Sequence, residues 1–587
     1  MYEIITTEEG VRRACEILIR SGAIGVDCET TDLTPQTGRM RLLQCAIPEK
    51  TFIFDRFSFD NSCALQPLAS VFTASKPRKV FHNGKFDIKF LNEELGVEIN
   101  GVYDTMLASQ IISAGYREHK HGLDAVALRF IGQVVDKKEQ LSKWDGALTK
   151  DQFNYAARDA EVLLPLRIEQ SKQIKEKGLI KTAMIEFAAI QSLALVEMNG
   201  FPVHLDMYRE IMKTYQNELD ELGNELRELL GVETNQQNLF SKSKKVINLG
   251  SPLQVKEAYE RIGVPMPNGT GAKEVRKLVR IYPQLQLLSD YRKIEKLLNG
   301  YGDKFIAQID KTLWRIFCDF QQCGTMTGRL SCRDPNMQQS PRRKEYRACF
   351  RPYPDSNRCL IVADYSQLEL RILAHLSGDE NMIKGFNSGH DYHKATAMQL
   401  FGYSNPDDVS DEERTSGKTM NFSITYNQSP ASTADALGIS LKEAEALHQK
   451  YDNTYRGMRQ YMNRTAERGL AEKMVRTEVG RIINLIYDED DNQQRSHAER
   501  VAKNAPIQGL TGDILKSVLP DLTKHLKPTK AQIVNLVHDE IIVECDLDES
   551  EQVKQIMEER MTLGASEYIY EVPVHVKAVI AESWAEK

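Results

Sequence analysis

The sequence predicts a multidomain protein in which an α/β domain is followed by a helical section and then an α+β domain. Residues 1 to about 170 alternate short apolar runs, such as "AIGVDCE", "KTFIFD" and "RKVFHN", with helical stretches. The final part mixes strand-like runs ("RCLIVAD", "AQIVNLVHDEIIVEC", "VPVHVKAVI") with long helices. A length of 587 residues is enough for about four domains of roughly 150 residues each.

The composition is typical of a folded globular protein, with 41% hydrophobic and 27% charged residues. A net charge of −7 excludes a uniformly basic nucleic-acid coat but leaves room for a local basic groove. The ten cysteines include no C-x-x-C pair, so we expect reduced thiols; a zinc site at Cys318, Cys323 and Cys332 is the less favoured alternative. No apolar run could span a bilayer and "MYEIITTEEG" is not a targeting peptide, so we expect a cytoplasmic protein that does not bind membranes.

Acidic residues recur after the apolar runs of the first domain. In "AIGVDCETTD", Asp27 and Glu29 point to one face of a strand, because a strand has a period of two. Taken alone, a solvent-facing strand edge explains this pair better than a metal site. However, "VFHNGKFDIKFL" places Asp87 after another apolar run, and "YAARDAEVLLPL" puts Tyr155 and Asp159 on one helix face. Four acids and a tyrosine suit two-metal hydrolysis of a phosphodiester, with the metals roughly 3.5–4 Å apart.

The charged stretch "EQSKQIKEKGLIK" (169–181) is the predicted domain boundary. It contains no Gly/Ser linker, so we expect the two halves to pack against each other. Beyond it, two apolar repeats predict a pair of packed helices, one with Tyr215, Leu219, Leu222, Leu226 and Leu229 and the other with Leu287, Tyr291, Ile294 and Leu298. Between them, "SKSKKVINLGSP" carries Lys242, Lys244 and Lys245, for which a solvated loop is favoured over phosphate contact.

Two acidic positions in the second half suggest another metal site. In "CLIVADYSQLELR", Asp364 ends a strongly apolar strand, where an ionised carboxylate needs a partner. "IVNLVHDEIIVEC" predicts a β-hairpin whose turn presents Asp539 and Glu540, without the Asn, Gly or Pro that turns prefer. If Asp364 holds a metal, this hairpin is the candidate for the second carboxylate.

A stretch of helical spacing, "ERTSGKTMNFSITYN", places Arg414, Lys418, Phe422 and Tyr426 on one broad helix face. Cations for phosphates and rings for stacking on a base suit a nucleoside triphosphate. On this stretch alone, an amphipathic surface helix with extended cationic side chains is an equal alternative.

Polar side chains suited to the minor groove occur in two further stretches. "ERVAKNAPIQGLTGD" spaces Arg500, Asn504 and Gln508 by four, and Pro506 is expected to kink or start a helix there. Amides and guanidinium groups can read the acceptors that every base pair presents in the minor groove. "TMTGRLSCRDPNMQQSP" is predicted to be a polar loop of the same character, with Arg329, Asn336 and Gln338.

The motifs "DCETT", "HNGKFDIKFL" and "YAARD" resemble those of 3′→5′ exonucleases of the DEDDy class, which DNA polymerase I and RNase D-like proteins share. "DYSQLELRILAHLSGD", "RTSGKTMNFSITY" and "VHDE" resemble, in order, three motifs of the family A DNA polymerases. The layout is similar to the Klenow fragment, without the family's 5′-nuclease domain. The resemblance implies an RNase H-like exonuclease domain (1–175) and a right-hand polymerase domain (176–587), with thumb at about 205–310, palm at about 311–390 and 495–587, and fingers at about 391–494.

The resemblance also implies a role for each site residue. Metal ligands of the exonuclease would be Asp27, Glu29, Asp87 and Asp159, with Tyr155 orienting the attacking water. The synthesis site would hold two Mg²⁺ ions on Asp364, Asp539 and the Tyr365 carbonyl, with Glu540 in support. Mn²⁺ is expected to be able to substitute for Mg²⁺. The nucleotide site would comprise Arg414, Lys418, His393, Phe422, Tyr426, Gln367 and Glu369, the last excluding a 2′-hydroxyl. The DNA contacts would be Arg329, Asn336, Gln338, Arg500, Asn504 and Gln508.

The expected function is template-dependent addition of dNTPs to a primer 3′-hydroxyl, with proofreading, by a monomer whose partners are primer–template DNA and dNTPs. A replicative role in a phage or organelle-like setting is expected, with replisome partners that the sequence does not identify. A repair or lesion-bypass polymerase, or an exonuclease alone, is the alternative. Ser423 and Asn427 stand where the family has glycine, which bears on substrate preference and fidelity.

Overall fold

The computed structural model describes residues 1–587 except 115, 117, 118, 232–246, 355, 390, 426 and 587. The predicted basic tip and Tyr426 therefore lie outside the described residues. The chain divides into two compact units, the first of Met1–Gly200, Cys318–Gln338 and Ile361–Ile580, the second of Phe201–Phe317, Gln339–Leu360 and Ala581–Lys587. Among the helices of the described part, none has the length and apolar character needed to cross a membrane.

The N-terminal region is a six-stranded sheet with helices packed on it, as the alternating pattern predicted. The strand order is β1-β4-β3-β2-β5-β6, and β3 runs antiparallel to both β2 and β4. The strands are β1 Tyr2–Ile5, β2 Ala23–Thr30, β3 Met40–Ile47, β4 Lys50–Asp55, β5 Arg78–Phe81 and β6 Val102–Asp104. The helices are α1 Glu8–Leu18, α2 Ala69–Thr73, α3 Lys85–Leu95, α4 Thr105–Ser113, α5 Leu123–Ile131, α6 Lys150–Glu176 and α7 Ile180–Asn199.

The predicted boundary coincides with the junction between two helices. Helix α6 begins at a capping box of Thr149 and Gln152 and ends at Glu176, and α7 begins at Ile180. Helix α7 packs on α3 of the N-terminal region, and the amide of Asn199 at its end donates to the Ile533 carbonyl (2.9 Å). The expectation that the two halves pack against each other is confirmed.

The second unit is mainly helical. Its elements are β7 Phe201–Pro202, α8 Leu205–Leu229, α9 Pro252–Arg261, α10 Ala272–Leu278, α11 Leu285–Tyr301, α12 Asp303–Ile306, β8 Arg315–Ile316 and α13 Lys344–Arg347. The predicted pair of packed helices is α8 and α11. The buried stripe of α11 runs through Leu285, Leu288, Tyr291, Ile294 and Leu297, whereas Leu287 and Leu298 are half-buried. Helix α11 also contacts α10 and α12, so its buried face is broader than a two-helix seam.

The rest of the first unit contains a four-stranded sheet, ordered β14-β15-β11-β16, and long helices. The strands are β9 Asp319–Gln321, β10 Ser331–Arg333, β11 Arg358–Tyr365, β12 Met474–Arg476, β13 Ile482–Asn484, β14 Gln532–Val537, β15 Glu540–Asp546 and β16 Val576–Ala581. The helices are α14 Leu368–Ser377, α15 Glu380–Asn387, α16 Tyr392–Phe401, α17 Asp411–Thr425, α18 Pro430–Leu437, α19 Leu441–Thr454, α20 Arg456–Glu472, α21 Asn492–Leu526 and α22 Ser550–Ser566.

Of the two outcomes expected at Pro506, a kink or a helix start, the second is wrong, and the predicted polar loop also needs correction. Helix α21 runs without a break through Pro506, so no helix starts there. Proline removes one backbone hydrogen bond, and the burial of α21 against α7, α20 and α22 offsets that loss. The predicted polar loop is partly a β-hairpin, because β9 pairs with β10 and Cys332 lies opposite Phe320.

Two candidate active sites

The predicted exonuclease residues come together on three neighbouring elements. Asp27 and Glu29 lie on β2, Asp87 lies in the first turn of α3, and Tyr155 and Asp159 lie on α6. Helix α6 can approach β2 closely because residue 25 is glycine. A Cβ atom there would lie 2.1 Å from the Ala160 carbonyl oxygen.

Electrostatic repulsion confirms that the four carboxylates are neighbours. Burial raises the pKa of Asp27 well above its usual value, and the charges of Asp87, Glu29 and Asp159 raise it further. The pKa of Glu29 is raised by burial and then by Asp159 and Asp87. Burial raises the pKa of Asp159 to about 6, against the lowering effect of a hydrogen bond from the Tyr155 hydroxyl. Ionising all four carboxyl groups together is therefore unfavourable unless a counter-charge is bound.

The chemistry of this cluster fits a divalent cation. The Oδ1 atom of Asp159 is buried and has no hydrogen-bond partner in the structure, and carboxylate oxygens are the ligands that hard cations prefer. In the described residues, no group of three or more His, Cys, Asp or Glu side chains is drawn together closely enough to hold an ion. Like charges repel, so we expect the four carboxylates to close further only around a cation.

Asp104 is a supporting residue that the sequence reasoning missed. Its buried carboxylate accepts hydrogen bonds from the backbone N–H groups of Gly84 (2.6 Å) and Leu107 (2.8 Å). The first bond fixes the loop that leads into α3 and hence Asp87; the second caps α4. An aspartate immediately before the helical run "TMLASQII" is an N-cap signal, which could have identified it.

The second pair of carboxylates lies at the ends of adjacent strands. Asp364 is the penultimate residue of β11, which neighbours β15 in the sheet. Asp539 lies in the turn between β14 and β15, where His538 adopts a left-handed backbone (φ 59°). Burial raises the pKa of Tyr365, the residue after Asp364, and the charge of Asp539 raises it further. The hairpin turn is therefore close to the end of β11.

The predicted exposure of Glu540 in this turn is wrong. Val537 pairs with Glu540 in the strand ladder, so the turn contains only His538 and Asp539. Glu540 begins β15 and is 3% exposed. The left-handed conformation at His538 closes the turn one residue earlier than the sequence suggested.

The helix predicted to carry Arg414, Lys418 and Phe422 on its nucleotide face is confirmed up to Thr425. Arg414, Lys418 and Phe422 lie on α17, which packs against α16. Gly417 permits this packing, since a Cβ atom there would lie 2.4 Å from the His393 carbonyl oxygen. The rings of His393 and Phe422 are 5.9 Å apart, between centroids.

The charges on this face are partly neutralised within the protein. The Nη2 atom of Arg414 lies 2.7 Å from Oδ2 of Asp391, the residue that caps α16. Burial lowers the pKa of His393 to about 4; Asp391 opposes this shift, whereas Arg414 and Lys418 add to it. His393, Arg414 and Lys418 are thus close enough to influence one another.

Asn421 is a second residue that the sequence reasoning did not identify. It lies on the buried face of α17, is fully buried, and its side-chain amide donates to Nδ1 of His393 (3.0 Å). Its carbonyl oxygen accepts hydrogen bonds from the hydroxyls of Tyr451 (2.8 Å) and Thr396 (3.1 Å). These bonds fix the His393 ring. An asparagine among the apolar positions of "MNFSIT" is the only sequence signal for it.

Two of the predicted DNA-binding sets are brought together. Helix α21 packs closely against the loop that contains Arg329, because residues 509 and 512 are glycines. A Cβ atom at Gly509 would lie 3.0 Å from the Thr327 carbonyl oxygen, and one at Gly512 would lie 3.1 Å from the Arg329 Cα. Arg500, Asn504 and Gln508 lie on the same helix. The Oδ1 atom of Asn504 is buried and has no hydrogen-bond partner in the structure.

The remaining predicted residues have local contacts. Arg329 forms an ion pair with Glu369, which the sequence did not predict. Gln367, the residue before α14, has a left-handed backbone (φ 60°). The Oδ1 atom of Asn336 accepts a hydrogen bond from the backbone N–H of Gln338 (3.1 Å).

Comparison with known proteins identifies both halves. The family model described as "DNA polymerase family A" matches residues 206–586, and that described as "3'-5' exonuclease" matches residues 2–175. Domains of these two families generally use divalent metal ions.

Relatives match along the whole chain. DNA polymerase I of Aquifex aeolicus is 29% identical over 622 residues, covering 100% of both chains. DNA polymerase I of Pseudomonas aeruginosa is also 29% identical over 100% of this chain, which spans 66% of that relative. A solved structure described as the "POL domain of Pol1 from M. smegmatis complex with DNA primer-template and dNTP" matches with a TM-score of 0.85 and 25% identity, covering 100% of this chain and 99% of that one.

These findings confirm the predicted fold class, an exonuclease domain followed by a family A polymerase domain, and the predicted class of activity, template-directed DNA synthesis with proofreading. The chain belongs to the family A DNA polymerases and carries a 3′–5′ exonuclease domain.

Proposed function

We propose that this chain extends a primer 3′-hydroxyl with dNTPs at Asp364 and Asp539 and removes mispaired 3′ ends at the carboxylate cluster of the exonuclease domain. The observation that carries the synthesis half is the proximity of the β14–β15 turn to the end of β11, through which Asp539 affects the pKa of Tyr365. Two carboxylates from separate sequence segments at one sheet end suit shared divalent cations.

Asp364, Asp539 and the Tyr365 carbonyl would hold two Mg²⁺ ions at the synthesis site, with Glu540 buried beside them. When bound, such ions supply charge stabilisation for the in-line transfer and lower the pKa of the attacking hydroxyl. Asp27, Glu29, Asp87 and Asp159 would hold the ions of the exonuclease site. Mn²⁺ is proposed to substitute at both sites, since it accepts the same oxygen ligands.

The side chains around the synthesis site would bind and orient the substrates. Arg414 and Lys418 suit the triphosphate, with His393 beside them, and Phe422 presents a ring that is 39% exposed for stacking on a base. Tyr426 is proposed for the templating position on sequence grounds alone.

We propose that Glu369, which pairs with Arg329, and the side chains expected in the minor groove select among substrates. Glu369 would exclude a 2′-hydroxyl, with Gln367 adjacent to it. Arg329, Arg500, Asn504 and Gln508 would contact the minor groove near the primer end, and Asn336 and Gln338 would contact the duplex separately. A mismatch distorts the groove that these residues read, which would slow extension and favour excision.

Primer extension tests this proposal with two variants. Asp364→Ala is expected to lose extension by about 10³-fold or more, because the transferring phosphoryl group loses its charge stabilisation, and still to degrade the primer. Asp27→Ala is expected to extend the primer and to retain a mispaired 3′ end. The measurement is gel-resolved extension and excision on a long template, with and without dNTPs.

Each outcome bears on one site. An Asp364→Ala chain that still extends at the wild-type rate would refute the assignment of the synthesis site. An Asp27→Ala chain that still removes a mispaired end would refute the exonuclease assignment. We propose a replicative role. The length of the product made in one binding event on the same template tests it, and long products are expected. Products only a few nucleotides long would instead favour repair.

A further inference from the structure

A β-hairpin of the first unit connects the two candidate sites. It consists of β9 and β10 and the loop between them, residues 319–333, and its loop holds Arg329. Each strand has three residues, which is too short to be stable as a pair on its own. Two clusters of buried charges, which neither proposed reaction uses, tie this hairpin to other elements.

The first cluster joins the hairpin to α3. The Nζ atom of Lys85 lies 2.5 Å from Oε1 of Glu197 and 2.8 Å from Oδ1 of Asp319, and it also donates to the Phe320 carbonyl. Oε1 of Glu197 accepts a hydrogen bond from the Phe320 N–H (2.7 Å). Lys85 lies on the same helical turn as Asp87, so one end of β9 is fixed to the helix of an exonuclease carboxylate.

The second cluster joins the other end of the hairpin loop to α7 and α21. Glu186 on α7 forms ion pairs with Arg481 (2.5 Å) and with Lys516 on α21. Lys516 donates to the carbonyl of Gly328 (2.7 Å), the residue before Arg329. A Cβ atom at Gly328 would lie 2.6 Å from the Arg481 guanidinium, so the loop backbone is pressed against this cluster.

Most members of both clusters are removed from solvent, although the Asp319 side chain is 33% exposed. The side chains of Lys85 and Glu197 are 12% and 3% exposed, and those of Glu186 and Lys516 are 0% exposed. Buried ions are costly to leave unpaired, so these charges strongly favour one position of the hairpin. A displacement of Arg329 would therefore reach α3 through the backbone of the hairpin, which one cluster holds at β9 and the other at Gly328.

We propose that Lys85 and Glu197 are positioning residues that couple the primer-end contact at Arg329 to the exonuclease helix α3. The choice between extension and excision then depends on the buried Lys85–Glu197–Asp319 contacts. A mismatched primer end that displaces Arg329 shifts the hairpin, and Lys85 carries that shift to the helix of Asp87. The proposal rests on the roles proposed above for Arg329 and Asp87.

The test compares Lys85→Met with Lys89→Met and Lys85→Arg. Lys89 is a matched control because it also lies on α3 and pairs with Glu197 (3.0 Å), and none of its contacts in the structure reaches the hairpin. The quantity measured is mismatch selectivity: the excision rate of a mispaired 3′ end divided by that of a paired end. Lys85→Met is expected to lower it by about 5-fold, within the range of coupling changes that single substitutions produce. Lys85→Arg and Lys89→Met are expected to stay within about 2-fold of wild type.

A purely structural role gives a different result. It would lower the Tm and both excision rates together and leave their ratio unchanged. Asp319→Asn removes the hairpin carboxylate that pairs with Lys85, and with it the ion pair of Asp319 with Arg333 on β10 (2.9 Å), but keeps the Phe320 carbonyl on Lys85 and keeps Lys85 and Lys89 beside Glu197. It therefore tests the proposal even if Lys85→Met does not fold. Asp319→Asn is expected to lower mismatch selectivity as much as Lys85→Met does. The double variant, Lys85→Met with Asp319→Asn, is expected to lower it no further than either single variant.

Two results would overturn the proposal. The first is a mismatch selectivity of Lys85→Met that stays within 2-fold of wild type; if Lys85→Met does not fold, the same result in Asp319→Asn counts. The second is a loss of mismatch selectivity in Lys89→Met that equals the loss in Lys85→Met. A wild-type chain that neither extends nor excises would instead refute the proposed function, so the two failures are distinguishable.

Discussion

The exonuclease carboxylates and the nucleotide face of α17 hold their charges in opposite ways. In the exonuclease site, burial raises the pKa of Asp27 and Glu29, and the charges of the neighbouring acids raise it further. On the nucleotide face, Arg414 is paired with Asp391, and near the primer end Arg329 is paired with Glu369. The first site has an excess of negative charge within the core, whereas the second has its cations already matched by carboxylates.

This difference indicates what each site requires of its ligand. The carboxylate cluster gains stability from any divalent cation, because the cation removes repulsion that the fold imposes. Under the proposed roles, a triphosphate would instead compete with Asp391 for Arg414, and DNA would compete with Glu369 for Arg329. The Arg414–Asp391 pair is about one-third exposed and contributes little, so competition for Arg414 costs little, whereas the Arg329–Glu369 pair is more buried and costs more to break.

Among substitutions that leave the proposed metal ligands in place, the largest expected effect separates water orientation from metal binding in the exonuclease site. Tyr155→Phe removes the hydroxyl that is hydrogen-bonded to Asp159 and leaves all four carboxylates. We expect single-turnover excision to slow by about 10²-fold, the scale of a misplaced reacting group. Extension of a matched primer should be unchanged.

The metal dependence of this variant provides the control. Its excision should saturate at the same Mg²⁺ concentration as wild type, since the ligands are intact. A large shift in that concentration would show that Tyr155 acts on the metal site rather than on the water.

The second prediction concerns the other side of the comparison, the ring of Phe422. Phe422→Tyr adds a hydroxyl donor beside the triphosphate that stands in for a missing 3′-hydroxyl. We expect incorporation of dideoxynucleotides relative to deoxynucleotides to rise by about 10- to 50-fold, the value of one charge-assisted hydrogen bond. Competitive incorporation on one template measures the ratio.

Phe401→Tyr is the matched control, because Phe401 and Phe422 are equally exposed (39%) and Phe401 lies at the far end of α16 from His393. It should leave the ratio unchanged. Equal use of both nucleotides by the wild-type chain would contradict the prediction.

The sequence predicted the local placement of these residues well. Period-two alternation placed Asp27 and Glu29 on one strand face, and spacing by four placed Arg414, Lys418 and Phe422 along one helix. The convergence of distant segments, such as Asp364 with the Asp539 turn, was only a conditional candidate on the residues alone, and the family resemblance was needed to favour it. Spacing along a chain contains no information on which sheet ends meet.

Partnerships between side chains were the part that the sequence could not supply. The pairing of Arg329 with Glu369 and the contacts of Lys85 with Glu197 and Asp319 depend on three-dimensional packing across more than one element. Glu540 was misplaced for a related reason. The turn closes at His538, which has a left-handed backbone; such a conformation is uncommon outside glycine, and the sequence alone does not say which residue of the turn adopts it.

The smallest expected effect tests whether the nucleotide face is insensitive to pH. Burial lowers the pKa of His393 to about 4, so this ring is neutral from pH 8 to pH 6 and adds no charge to the triphosphate site. We therefore expect the KM for a dNTP to change by less than about 2-fold between pH 8 and pH 6 in both wild type and His393→Gln, with steady-state extension as the measurement. A wild-type KM that falls several-fold on acidification, and does so no longer in His393→Gln, would show that the imidazolium binds the phosphates.

The lowered pKa of His393 also determines how folding stability changes with pH. Neutral His393 contributes stability above its unfolded pKa of 6.5, and that contribution is lost as the pH falls towards 4. His393→Gln should accordingly show a smaller fall in Tm than wild type over that range, because glutamine takes up no proton.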